Sequence, residues 1–139
     1  MEKVTKKQLN DLSYRIIGAA IDVHKHLGPG LLESVYETCL EWELKQANLH
    51  VARQQLVPIH YKGNELDAAL RYDLLVENLI VLELKTVEFF LPVHEAQLLT
   101  YLRLLEKPKG ILLNFYCQNI FKEGQKTFVT ELFRSLPDE

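Results

Sequence analysis

The segment Leu79-Ile80-Val81-Leu82-Glu83-Leu84-Lys85 is an apolar run of the kind buried in a sheet, interrupted at its end by two opposite charges. A buried charge without a partner is costly, so Glu83 and Lys85 each need an opposite charge, a metal ion or an opening to solvent. Residues two apart in a strand point to the same face, which sets Glu83 beside Lys85 and leaves Leu82 and Leu84 on the other side. The preceding run, Leu70-Arg71-Tyr72-Asp73-Leu74-Leu75-Val76, holds a second anomaly, an aspartate in a strand position that disfavours it. If the two runs form a hairpin with a three-residue loop, Val76 pairs with Ile80 and Asp73 falls opposite Glu83, with Cβ atoms about 4.5–5.5 Å apart. A two-residue loop slips the pairing by one and turns Asp73 away. Facing carboxylates repel unless a proton or cation relieves them, and a hard ion such as Mg²⁺ or Mn²⁺ suits such oxygens better than zinc. A site of this kind polarises a phosphoryl oxygen and acidifies a bound water, while Lys85 meets developing negative charge. That is the chemistry of phosphodiester hydrolysis. A lone Glu-x-Lys is commonly a structural ion pair, so the added Asp73 is what shifts the balance.

Further polar groups stand at spacings that bring them to the same neighbourhood. His94, Gln97 and Tyr101 lie at i, i+3 and i+7 of a helical stretch and share a face distinct from the Leu98, Leu102, Leu105 stripe. They form either a solvent-facing polar stripe or a set aimed at the sheet, where the Gln97 amide holds a metal-bound water and the Tyr101 phenol a phosphate. Glu33 and Tyr36, three apart, also share a helix face, with Tyr36 an expected substrate contact. Glu33 is either a favourable charge at a helix N-terminus or a further carboxylate over the metal. Arg71 falls on the Asp73 face by alternation, as a phosphate contact or a cross-strand salt bridge. His94-Glu95 lacks the second histidine of HExxH, since Leu98 stands in its place, and His24 and His26 point to different faces. No P-loop, GxGxxG or GxSxG is present, which argues against nucleotide-binding and serine hydrolase chemistry.

The elements that must position these residues follow from apolar periodicity. Lys7 to Leu27 repeats at three- and four-residue steps and reads as a helix closed by Gly28-Pro29-Gly30; a second helix carries Leu32, Val35, Tyr36, Cys39, Leu40 and Leu44 and fades near Asn48. Gln55 to Tyr61, Leu66 to Val76 and Leu79 to Lys85 then read as a three-strand meander, with turns at Lys62-Gly63-Asn64 and Glu77-Asn78. Pro92 opens a third helix to Leu105, closed by Lys107-Pro108-Lys109-Gly110. Ile111 to Tyr116 is a further strand, and Thr127 to Phe133 a terminal strand or helix. The plan is mixed α/β, with antiparallel strands before the third helix.

A chain of 139 residues, 47% hydrophobic and 25% charged, suits one globular core, so residues 1–139 are expected to form a single domain. A net charge of −3 excludes a generic polycation and makes any nucleic-acid contact local. Arg103, Lys107 and Lys109 are the best local basic group, although a solvated helix end is the commoner meaning of such a cluster. Cys39 and Cys117 form neither a CxxC pair nor a disulfide framework, which fits a reducing cytoplasm. No segment approaches the roughly 18 continuous apolar residues of a membrane span, and the N-terminus has no apolar stretch of the secretory kind.

Gly30-Leu31-Leu32-Glu33-Ser34-Val35-Tyr36 spells the GxxExxY signature, and the chain resembles the GxxExxY protein family from about Leu12 to Phe133. The likeness continues through Arg71 to Glu77, Val81 to Lys85, Pro92 to Leu102 and Leu112 to Phe115. That family is grouped with the PD-(D/E)xK nuclease-like superfamily, so the resemblance implies a restriction-endonuclease-like core. Such a core runs helix, three-strand meander, helix and strand, here with an extra N-terminal helix. By position it implies Glu33 as the acid of the core's first helix, Asp73 as the central metal ligand, and Glu83 with Lys85 as the (D/E)xK half-motif. Gln97 and Tyr101 match the QxxxY element of the RecB-like branch, and Tyr72 replaces the proline of PD. The expectation is a cytoplasmic Mg²⁺- or Mn²⁺-dependent nuclease acting on DNA, or on RNA. Its metal would be held by Glu33, Asp73 and Glu83, and a homodimer could grip a duplex. Two other readings stand beside it, a non-catalytic nucleic-acid- or protein-binding module on the same fold and a hydrolase of a small phosphate compound.

Overall fold

Thr5 opens the first helix, α1 (Lys6–Leu27), with a capping box: its hydroxyl accepts the Gln8 N–H while the Gln8 side chain accepts the Thr5 N–H. In the computed structural model, which describes residues 4–139, Leu9, Leu12, Ile16, Ala20 and Val23 form the buried stripe that the helical period requires. Gly28 and Gly30, at φ +68° and +102°, then turn the chain tightly into α2 (Glu33–Gln46), through conformations that residues with a Cβ rarely adopt.

The strands that follow are β1 (Val51–Arg53), β2 (Ile59–Tyr61), β3 (Asn64–Leu66), β4 (Leu74–Val76) and β5 (Ile80–Lys85). After α3 (Pro92–Leu105) come β6 (Lys109–Asn114), a short α4 (Ile120–Glu123), β7 (Gln125–Val129) and α5 (Glu131–Arg134). One sheet has the order β1-β4-β5-β6-β7, and β2 with β3 makes a separate two-stranded sheet. Only β5 and β6 run parallel within the larger sheet, with α3 as the crossover between them. One sheet face, with Leu74, Val76, Leu82, Leu84, Ile111 and Leu113, packs against α1 and α2; the other, with Leu75, Val81 and Leu112, packs against Leu98, Tyr101 and Leu102 of α3. Gly110 lets α3 come close, since a Cβ there would meet the Leu98 Cδ1 at 2.9 Å and the Leu102 Cδ1 at 3.1 Å.

The expected helix, helix, strands, helix, strand order is present, and the meander needs one correction. β4 does lie between β1 and β5, but the Leu66 to Val76 run is not continuous. The register Val51↔Val76 persists through the bridge Leu56↔Arg71 and, continued, would set Ile59 opposite Ala68; Ile59 sits opposite Leu66 instead. The first register holds as far as the Val57 N–H, which donates to the Leu70 carbonyl; the slip lies beyond it beside Ala69, left-handed at φ +55°, and the hairpin tip separates as its own sheet. The first strand also begins earlier, at Val51 rather than Gln55, and the Lys62-Gly63 turn already pairs Tyr61 with Asn64. The terminal stretch divides into both alternatives, strand β7 and helix α5, and α4 carries only four residues, too few to show a period.

Candidate active site

Glu77 and Asn78, at φ +53° and +57°, turn β4 into β5, and Val76 pairs with Ile80 across a three-residue loop. That is the loop length on which the chemistry depended. The ladder continues through Leu75↔Val81 and Leu74↔Leu82, and just beyond its last pair Asp73 and Glu83 face one another. Here carboxylates replace carbonyls as backbone acceptors. The Asp73 N–H donates to Glu83 Oε2 at 3.2 Å, and the Leu84 N–H donates to Asp73 Oδ2 at 2.7 Å. Each strand thus holds the other's acid in place. Glu83 is 4% exposed, and burial, then the Asp73 charge and carboxyl contact, push its pKa up to about 9 against the opposing pull of Lys85. Glu83 therefore keeps its proton beside Asp73, and a cation bound there would displace that proton.

Glu33, the first residue of α2, is exposed and borders a hollow of about 190 Å³ shared with Ser34, Glu37, Gln54, Asp73 and Leu84. Desolvation raises its pKa, Lys85 opposes that shift, and Asp73 adds to it, so Glu33 lies within electrostatic reach of both. Among the described residues, no three His, Cys, Asp or Glu side chains stand close enough to form a ready metal cage. The structure joins Asp73 and Glu83 directly and sets Glu33 at the margin.

On the opposite side of Glu83, α3 supplies Tyr101, 4% exposed, whose phenol accepts the Gln97 amide N–H at 3.1 Å. Burial, and after it the Glu83 charge, raises the Tyr101 pKa, so the expected QxxxY pair does meet the charged end of the sheet. Gln97 itself is exposed, and His94 turns back to accept the Leu91 N–H at 3.0 Å at the helix start. Arg71 lies at the rim, its guanidinium donating to the Gln54 carbonyl at 2.9 Å, and it has no carboxylate partner among the described residues. Tyr36 is placed elsewhere. It is fully buried, stacked on Phe115 with ring centroids 4.5 Å apart, and its hydroxyl donates to the Gly28 carbonyl while accepting the Leu31 N–H. It braces the α1–α2 turn and presents no surface to a substrate. The helix-end basic group also dissolves: Lys109 is buried and donates to Asn10 Oδ1 at 2.8 Å, and Lys107 donates to Asn78 Oδ1 at 2.9 Å.

Two site residues escaped the sequence reading. Gln54 donates through one amide nitrogen to Asp73 Oδ1 at 3.1 Å and to Glu37 Oε1 at 2.7 Å, and so bridges two acids. Glu37 is 6% exposed and also accepts from Arg53, at 3.2 Å from Nε and 3.1 Å from the terminal nitrogen. The signal for Glu37 was available, since it stands four residues after Glu33 on the same helix face. Gln54 gave none, because it meets Asp73 only as the residue opposite it in the β1–β4 pairing, which periodicity along one segment cannot show.

With this geometry stands a match to the family model of the PD-(D/E)XK nuclease superfamily over residues 10–128, and the chain belongs to that superfamily. The mixed sheet with helices on both faces is consistent with its restriction-endonuclease-like fold. Members of the superfamily typically use divalent metals. Neither a curated protein nor a solved structure matches the chain. No described helix is long and apolar enough to cross a membrane.

Proposed function

We propose that this protein is a divalent-metal-dependent nuclease that hydrolyses phosphodiester bonds in DNA. The observation that carries the reading is the pair Asp73 and Glu83, each locked by the other's strand beside Lys85, with the Glu83 proton retained for want of a cation. The donor set fits Mg²⁺ or Mn²⁺. Such ions are commonly held by one or two carboxylates, with water and substrate phosphate completing the shell, so a cage of three protein acids is not required. Asp73 and Glu83 would be the direct ligands and Glu33 a third, reached through water. When bound, the ion supplies Lewis-acid polarisation and an acidified water. Lys85 holds an ammonium where negative charge develops on the phosphoryl oxygens. Gln97 positions Tyr101 beside Glu83, and Arg71 offers a phosphate contact at the rim. The Gly30 to Tyr36 signature supports placement in the GxxExxY branch of the superfamily. In this structure the signature reads as a glycine turn, an acid aimed at the site and a buried tyrosine brace.

The test is cleavage of single- and double-stranded DNA and RNA with Mg²⁺ or Mn²⁺ and with EDTA. Metal-dependent cutting that Asp73→Ala abolishes is expected. A wild-type protein that cuts none of these substrates with either ion refutes the reading.

A further inference from the structure

Past Lys85 the sheet end has a second feature. Asn114, at the end of β6, pairs beside Lys85 and is 3% exposed. Its Oδ1 accepts the backbone N–H groups of Val87 and Tyr116, both at 3.1 Å, and its Nδ2 donates to the Val87 carbonyl at 2.7 Å. The Phe115 N–H donates to the Lys85 carbonyl at 2.9 Å, which continues the pairing past the strand ends. One buried amide therefore ties the loop after β5 to the loop after β6.

These pinned loops hold aromatic surface in solvent. Phe89 is 65% exposed and Tyr116 49%, while Phe90 between them packs inward on the α3 side of the core. A free loop would fold such rings against the protein, and loops tied through Asn114 are held from doing so. Between the rings lies a cleft of about 560 Å³, bordered by Phe89, Phe90, Tyr116 and Pro29, with Glu88, Glu123 and Gln118 at its polar edge. That volume is ordinary for a small-molecule site. Among the described residues lining it there is no lysine or arginine, so it is not built for a phosphate. Ring faces combined with two carboxylates and an amide, acceptors and donors for base edges, suit a nucleobase whose π-face and Watson–Crick edge are both free, and in a duplex both are occupied. Glu88 lies three residues after Lys85, at most roughly 10 Å of extended chain, so the cleft and the acidic site are neighbours.

We propose that this cleft receives an unpaired base of the substrate strand, so that the protein acts on single-stranded or locally opened nucleic acid. The inference rests on the nuclease reading above and adds the strandedness of its substrate. Fluorescence anisotropy of a labelled single-stranded oligonucleotide and its duplex, with Ca²⁺ in place of Mg²⁺ to suppress cutting, tests it. Wild-type protein is expected to bind the single strand at least tenfold tighter. Phe89→Ala and Tyr116→Ala are each expected to weaken that binding on the order of tenfold, the scale of one lost stacking contact, and to leave duplex binding unchanged. A 2-aminopurine walked along the strand is expected to change fluorescence at one position on binding wild-type protein, a reading that needs no variant to fold. Equal binding of strand and duplex, variants that bind like wild type, or no 2-aminopurine response at any position overturns the cleft assignment while metal-dependent cutting stands. The expected binding pattern without cutting leaves the cleft and removes the nuclease reading. Protein that neither binds nor cuts overturns both.

Discussion

Hairpin β2–β3 turns through Lys62 and Gly63 at φ +50° and +82° and leaves every residue of β3 exposed, whereas hairpin β4–β5 turns through Glu77 and Asn78 at +53° and +57° and buries all of β4. The backbone solutions are similar and the surroundings differ. In β4–β5 the leucines of one face meet α1 and α2 and those of the other meet α3, so a slip by one residue would exchange both sets at once. That packing fixes the register, and the proton Glu83 keeps relieves the pair, so Asp73 and Glu83 are held opposite each other. In β2–β3 no comparable apolar contact resists a slip, and no opposed acids are found there. Packing on both faces is what allows charges that destabilise the fold to be held where they can act.

The largest effect should come from removing the charge that the packing restrains. Glu83→Gln is expected to lower Mg²⁺-dependent cleavage about a thousandfold, as when one group acting on developing charge is lost. The same variant should melt above wild type at pH 8 in EDTA, because the amide folds without the proton uptake that buried Glu83 requires at that pH. A variant that loses activity and also melts lower would contradict the account of a buried acid that folds only with its proton.

Breaking the restraint itself should cost stability. Leu82→Ala, at a fully buried position next to the acids, is expected to destabilise by about 2–5 kcal/mol in urea unfolding, the usual range for a leucine cavity. Tyr61→Ala in the exposed hairpin should stay within about 0.5 kcal/mol of wild type. Comparable losses at the two positions would erase the contrast between the hairpins.

The pH dependence has a defined sign. Glu83 holds its proton in the folded state up to about pH 9 and gives it up near its ordinary value of 4.5 when unfolded, so the folded state binds more protons in between. The contribution is fully present at low pH and is lost as pH rises through that window. Metal-free protein should therefore lose melting temperature progressively from about pH 5 to pH 9, from this group, and Mg²⁺ should restore more of it at pH 9 than at pH 6. A Mg²⁺ increment that is the same at both pH values would argue against Glu83 as a ligand. A loss smaller than that of Leu82→Ala is expected for Gln54→Ala, about 1–3 kcal/mol from two acids left without a shared donor. Its diagnostic readout is weaker Mg²⁺ binding by calorimetry, which a purely structural bridge would not alter.

Much of this site was legible because its anomalies are local. Asp73 interrupts an apolar strand, Glu83 and Lys85 share a face two residues apart, and Gln97 and Tyr101 share a helix face four apart. Period alone carries such information. Gln54 was illegible because it reaches Asp73 across 19 positions as its cross-strand neighbour, and which residues oppose each other is revealed only by the pairing of distant segments. Tyr36 was misread for a related reason: helix position places it with Glu33, but the Gly28 and Leu31 backbone groups that claim its hydroxyl belong to a turn whose path is tertiary.

By itself the sequence determined the element order, the two apolar faces of the sheet and the identity of the facing acids, since each depends on periods of two or 3.6 along a single segment. The tertiary structure alone decided whether those acids meet. It did so by closing the β4–β5 loop at three residues between two packed layers, where the alternative register would have turned Asp73 away and brought the leucines of both faces into the wrong layer.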